Sequence, residues 1–376
     1  MNFSIIAKSK LPIDFINELN HDFTERNVDK ILTGMSEERY TTFRVNYLKS
    51  NEVEVEDELV KNGLEFEKVR ITESNFNFNA YVIYNKNEKD LSKLKIYEDG
   101  KIYVQSISSM IPPIILRPEP GEKVLDMAAA PGSKTTQMAA MMNNEGYILA
   151  NEIDKFRCEK LKYNVEKQGA SIVHIINKDG TQLNNSAKSF DKILVDAPCS
   201  GEGRFIVSNK KTYEHWSLKM QKELVEIQKK LLSNAINLCK INGTILYSTC
   251  ALSLAENEKV IDWAINNFNI EIEKININIC IEKSTRVKLN DKLSQTSKSE
   301  INLTNQSEIN LTSKSETNLT NKSETNLNEE KEFVSYNSWV TKGNKKGLSD
   351  EIKKTIKILP NKLLEGFYVA KIKKLG

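Results

Sequence analysis

VLDMAAAPGSKTTQMA, residues 124–139, decides the fold. A strand ends at Asp126, small residues and Gly132 then make a tight turn, and a helix is predicted to begin near Ser133. Small side chains let a ligand approach backbone N–H groups at a helix N-terminus, as nucleotide-binding turns require. A phosphate-binding loop is the competing reading, because Gly132 is followed by Ser-Lys-Thr. It fails because Ser133 rather than Gly precedes Lys134, and Ala128 holds the upstream glycine position.

Around this turn, apolar strands alternate with helical segments from about Lys101 to Phe268. The strands are expected at Lys123–Asp126, Tyr147–Asn151, Ile172–Ile176, Lys192–Asp196 and Thr244–Thr249. Between the second and third, Cys158, Leu161 and Val165 recur at helical spacing, with Gly169 where a helix C-cap would stand. Such alternation reads as an α/β fold with a parallel sheet covered on both faces. Glu152 ends the second strand, 26 residues beyond Asp126, where a carboxylate can accept both ribose hydroxyls of an adenosine cofactor.

Two further strings deliver cysteines. DKILVDAPCSGEGRF (191–205) places Asp196 and then Cys199 past one strand, and GTILYSTCALSLAENE (243–258) places Cys250 past another. Both thiols therefore stand on the sheet edge where open α/β folds bind ligands. Cys158 fits an apolar stripe, Cys239 a long helical segment and Cys280 a weakly patterned one, so these three read as structural. Thiols suit one demanding reaction. Carbon 5 of a pyrimidine is a poor nucleophile, but thiolate addition at carbon 6 makes it an enamine able to attack an electrophilic methyl group. Asp196 is placed to stabilise the protonated adduct near N3. The base must be single-stranded or flipped for this chemistry.

Composition bounds the rest. Across 376 residues, 54 Lys and Arg against 51 Asp and Glu leave a net charge of only +3, which excludes a uniformly basic nucleic-acid glove. Five cysteines without a CxxC, and three scattered histidines, argue against a disulfide framework and a metal site. No apolar run reaches the ~18 residues of a membrane span, and no secretory segment opens the chain, so a cytoplasmic protein is expected. Lys8, Lys10, Arg26 and Lys30 cluster near the start and read as a solvated face in preference to a phosphate contact. Residues 298–329 are four copies of an eight-residue unit (KSEINLTN, QSEINLTS, KSETNLTN, KSETNLNE) with one leucine each, too little to offset chain entropy.

These strings, with IYVQSISSMIPP (102–113), Asn151-Glu152 and LEGFYVAKI (364–372), resemble the RsmB/Sun/NOP family of S-adenosylmethionine-dependent RNA cytosine-5 methyltransferases, from about Thr41 to Ile372 with the repeats excepted. The resemblance implies a Rossmann-like class I methyltransferase sheet, S-adenosyl-L-methionine as cofactor and RNA as partner. It implies that Cys250 is the nucleophile and that Cys199 assists release of the enzyme. Cofactor contacts carry over to Ala128, Ala129, Ala130, Pro131, Gly132, Ser133, Lys134, Glu152, Asp179 and Asp196. Ile241-Asn242-Gly243 replaces the family's Pro-Gly-Gly turn, tolerable because Asn accepts left-handed geometry, and Ala255-Glu256 stands where two glutamates are usual.

The expected organisation is a small α+β RNA-binding module at 1–95, the catalytic domain at 96–285, a disordered low-complexity insertion at 286–335, and completion of the catalytic domain at 336–376. Ribosomal RNA is the favoured substrate and transfer RNA the alternative. A non-catalytic RNA-binding ribosome-assembly factor is the reading of another class. A monomer without metal is expected.

Overall fold

The computed structural model describes residues 3–184, 190–283, 333–343 and 347–376. The repeats at 298–329 lie outside these residues. Three short helices open the chain, α1 (Phe3–Lys10), α2 (Ile13–Asp22) and α3 (Glu25–Ser36). Then come β1 (Thr41–Val45), α4 (Glu52–Lys61), β2 (Phe66–Glu73), β3 (Phe76–Ile83), α5 (Glu88–Leu91), α6 (Lys95–Glu98) and β4 (Ile102–Val104). The next run is α7 (Ile107–Leu116), β5 (Lys123–Asp126), α8 (Ser133–Met141), β6 (Tyr147–Asn151), α9 (Lys155–Gln168), β7 (Val173–Ile176) and β8 (Phe190–Asp196). It continues with α10 (Leu218–Leu238), β9 (Cys239–Thr249), α11 (Glu258–Asn267), β10 (Ile270–Glu273) and β11 (Ile277–Glu282). The described chain closes with β12 (Phe333–Ser335), β13 (Val340–Lys342), β14 (Ile356–Ile358) and β15 (Phe367–Lys374).

The larger sheet runs β13-β14-β15-β9-β8-β5-β6-β7, with β10 beside β15. Its half from β9 to β7 is parallel. Neighbouring residues on these strands point into opposite cores. Val124, Leu194 and Leu246 join the layer of α7 and α8, while Leu125, Val195 and Ile245 join the layer of α10 and α11. Both faces are covered, as the near-continuous apolar strands required. Asp154 caps α9 by accepting from the Arg157 amide at 2.8 Å, and Gly169 ends it at φ 70°.

The smaller sheet is antiparallel, in the order β12-β11-β2-β3-β1-β4. Its strands come from distant parts of the chain. One edge is β4, beyond residue 95, and the other is β11 and β12, drawn from far along the chain. Phe333–Ser335, read as part of the insertion, pairs with β11 instead. The reason is physical: two hairpin strands and β1 alone leave open edges, and distant segments close them. Helix α7 lies between the sheets, its apolar side chains sharing a core with Val69, Ile71 and Val82.

Two local expectations also change. Cys239 opens β9 rather than lying in a helix, because the chain turns extended there (φ −73°, ψ 143°) to pair with Phe190. The β8 and β9 strands are correspondingly longer at their starts than read. Asn242 takes φ 65°, as the replacement turn required.

Candidate active site

One cavity of about 840 Å³ opens at the C-terminal ends of the parallel strands. Ala128, Ala129, Ala130, Pro131, Ser133, Lys134, Glu152, Asp179, Asp196, Cys199 and Cys250 all line it. Gly132, alone among the expected site residues, does not. Its part is conformational: at φ 106° it starts α8, and a Cβ there would come within 3.0 Å of Leu161 Cδ1.

The turn after β5 is held from below and from the side. Thr135 Oγ1 donates to Asp126 Oδ2 at 2.7 Å, and burial pushes the Asp126 carboxyl up to about 7. Glu152 is buried, with Oε2 accepting from the Ala130 amide at 3.3 Å and Oε1 from the Asp154 amide at 3.0 Å. Asp179 caps a short turn, accepting from the Thr181 hydroxyl and amide, which hold its carboxyl below the ordinary range. A helix N-terminus, small residues and two carboxylates around one cavity fit an adenosine-bearing cationic cofactor.

Lys134 joins this turn to the reacting groups. Its Nζ lies 2.8 Å from Asp196 Oδ2 and donates to Ser109 Oγ at 2.9 Å, beneath the Phe367 ring. Ser248 Oγ donates to Asp196 Oδ1 at 2.8 Å. Asp196 is thus a fixed carboxylate with an ammonium on one oxygen and a hydroxyl on the other.

The sulfurs of Cys199 and Cys250 are 3.2 Å apart. The hydrogen bond from Cys199 pulls the Cys250 thiol below its ordinary value, with Arg204 acting in the same sense against burial. The same bond, together with burial, pushes Cys199 well above its own. The two thiols are therefore driven in opposite directions, Cys250 toward ionisation and Cys199 away from it. Arg204 lines the cavity, and the charge of Cys250 raises its pKa in return.

Sequence reasoning missed how the cysteine loops are braced. Glu202, three residues after Cys199, accepts from the amides of Leu252 and Ser253, two and three residues after Cys250, both at 2.9 Å. Glu256, six residues after Cys250, accepts from the amide of Ser200 at 2.9 Å and from its hydroxyl. Each loop carries the acid that fixes the other. Gly203 seals the junction, its amide donating to Cys250 O at 2.8 Å while its α-carbon abuts Gly366 too closely for any side chain. The residues stood in the GEG and ENE strings, but nothing in their spacing showed that they reach across. Helices α1–α3 also pack on the first loop, through Phe15 against Phe205 and Trp216, and Asp22 accepts from the Leu254 amide at 2.9 Å.

Residues 113–308 match the model of the 16S rRNA methyltransferase RsmB/F family. The chain belongs to that family. It is accordingly a Rossmann-like methyltransferase with S-adenosyl-L-methionine as its cofactor. Over 237 residues it is 37% identical to the tRNA (cytosine(49)-C(5))-methyltransferase of Pyrococcus abyssi, covering 63% of this chain and 74% of that one. Over 254 residues it is 35% identical to ribosomal RNA small subunit methyltransferase F of a Shewanella species, covering 66% of this chain. This RsmB/F member spans about half the length of that relative, 52%. Among solved structures it resembles a methyltransferase homolog protein from Pyrococcus horikoshii, at 25% identity and TM-score 0.66, covering 97% of this chain and all of that one. NSun6 from the same organism, solved with SFG, an S-adenosylmethionine analogue, shares the fold at 20% identity and TM-score 0.68, covering 98% and 100%. None of the described helices is long and apolar enough to cross a membrane.

Proposed function

We propose that this RsmB/F member methylates carbon 5 of a cytosine in ribosomal RNA through a covalent adduct with Cys250. The observation that carries the reading is the cysteine pair, two sulfurs 3.2 Å apart beside a cofactor turn, with Cys250 pulled below and Cys199 pushed above the ordinary thiol value. When bound, S-adenosyl-L-methionine supplies an electrophilic methyl group. The chain's residues do the rest. The Cys250 thiolate forms a bond to carbon 6, shifting electron density to carbon 5. Asp196, held by Lys134 and Ser248, faces N3 and the amino group and stabilises the protonated ring. Arg204 steadies the anionic sulfur before attack and again as it leaves. Once carbon 5 carries its methyl group, its proton passes to water, the electron pair left behind re-forms the ring double bond, and the carbon 6–sulfur bond breaks to return the Cys250 thiolate, with Cys199 assisting. The base must leave any stack to reach the thiol.

Transfer RNA is the second reading, favoured by the larger share of the archaeal tRNA enzyme that aligns. A monomer in the cytoplasm is part of the same proposal. Bisulfite sequencing of total RNA from a deletion strain tests it. Loss of one 5-methylcytosine in small-subunit ribosomal RNA is expected, loss in a transfer RNA selects the second reading, and an unchanged pattern in both overturns the activity.

A further inference from the structure

Phe156 is 83% exposed and Tyr163 is 62% exposed, both on α9. Nothing in the fold explains them. The helix reads KFRCEKLKYNVEKQ, five cations against two carboxylates, in a chain whose net charge is only +3. At 3.6 residues per turn, Phe156, Lys160, Tyr163 and Lys167 fall within an arc of about 60°. Aromatic rings and ammonium groups alternate along this arc, and no carboxylate interrupts it. Glu159 lies farther round, paired with Lys162 at 2.7 Å. Lys160 makes no ion pair or hydrogen bond with any described residue, so its charge is unspent. Lys167 sits over the Tyr97 ring at 3.8 Å and near that of Tyr163.

The stripe borders the active-site cavity. Lys167 of the stripe, with Arg157 and Asn164 on the adjoining face of α9, lines that cavity together with Tyr97 and Tyr103. The helix is also rigidly tied to the cofactor turn, since Arg157 donates to Ala130 O at 2.7 Å and Asn164 to Pro131 O at 2.8 Å. Exposed rings spaced along a cationic track are what single-stranded nucleic acid needs: bases stack on the rings and phosphates meet the ammonium groups.

We infer that this stripe of α9 is a docking track for single-stranded RNA, with nucleotides flanking the target base stacking on Phe156 and Tyr163 while Lys160 meets the backbone. This rests on the reading of the protein as an RNA methyltransferase and adds to it where the strand runs. Near-neutral overall charge is then no obstacle, because attraction is concentrated on one helix face.

The test uses the full chain and a fluorescein-labelled, unstructured 12-nucleotide RNA of mixed sequence. The double variant Phe156→Ala with Tyr163→Ala is expected to weaken binding about tenfold or more. S-adenosyl-L-methionine affinity and melting temperature should stay at wild-type values, since both rings are outside the core. Lys160→Ala is expected to reduce the slope of log affinity against log salt by about 0.7. Equal binding by wild type and double variant would overturn the track while leaving the RNA reading intact. Binding by neither would sink the RNA reading and the track together. A wild-type dimer that the double variant dissociates, with RNA binding unchanged, would assign the stripe to a second copy of the chain and overturn the proposal.

Discussion

The loops after β8 and β9 begin alike and set their thiols in different electrostatic surroundings. Both follow adjacent parallel strands, both present a thiol to the same cavity, and each supplies a buried glutamate to the other. Cys250 follows its strand immediately and has Arg204 and the Cys199 S–H for company. Cys199 stands three residues past Asp196, and the charge of Glu256 works against its ionisation. Two thiols of identical intrinsic acidity are thereby shifted in opposite directions, as the proposed nucleophile and its partner require. What separates them is position relative to charge, not residue type.

The sharpest way to break this asymmetry is to remove one sulfur. Cys250→Ala should lower turnover by at least about a thousandfold, because the remaining thiol, Cys199, loses its hydrogen bond to Cys250 but is still held above its ordinary value by burial and is a poorer nucleophile. A single-turnover assay with labelled cofactor and ribosomal RNA reads this. Wild-type turnover would refute the assignment. Asp196→Asn keeps the shape but removes the charge facing the ring. It should cost about 10²–10³ in kcat, with cofactor affinity reduced far less.

The braces offer a second comparison. Glu202→Ala strips acceptors from the Leu252 and Ser253 amides, the Trp216 indole and the Gln221 amide, and should cost about 3 kcal/mol in denaturant unfolding. Burial and then the Glu202 charge push the Glu256 carboxyl up to about 7 from an ordinary 4.5, and burial raises Glu202 as well. A raised carboxyl binds its proton more tightly in the folded chain. The stability it contributes is full below about pH 4.5 and is lost as pH rises through about 7. Glu256→Gln should flatten that fall by about 2 kcal/mol between pH 5 and 8. Asp126, also pushed up to about 7, and Glu202, raised by burial, leave a residual slope of the same sign. A variant with the full wild-type slope would show that Glu256 does not titrate in this window.

Strands whose apolar runs are bounded by charge or turn residues were legible in the sequence: Lys123–Asp126 and Tyr147–Asn151 stand where they were expected. So was the gathering of both cysteines, Asp196 and the cofactor turn, since parallel strands bring their C-terminal ends to one edge. Long-range closure was not. No local pattern announces that Ile277–Glu282 and Phe333–Ser335 complete the N-terminal sheet, because an edge strand's partner is set by the edge it covers. The reciprocal glutamates were hidden for the same reason. Glu202 and Glu256 show their reach only once the loops are brought together. Lys134 was read as a cofactor contact, and its reach to Asp196 depends on a side-chain direction that no spacing encodes.

The division of labour between the sulfurs has one direct measurement. Incubate Cys199→Ala with cofactor and ribosomal RNA, digest the product, and map any nucleotide-bearing peptide by mass spectrometry. A methylated cytidine attached to Cys250 is the expected result, with little free product released. Normal turnover without a trapped species, or attachment to any other residue, would contradict the assignment of Cys250 as nucleophile and Cys199 as the group that frees it.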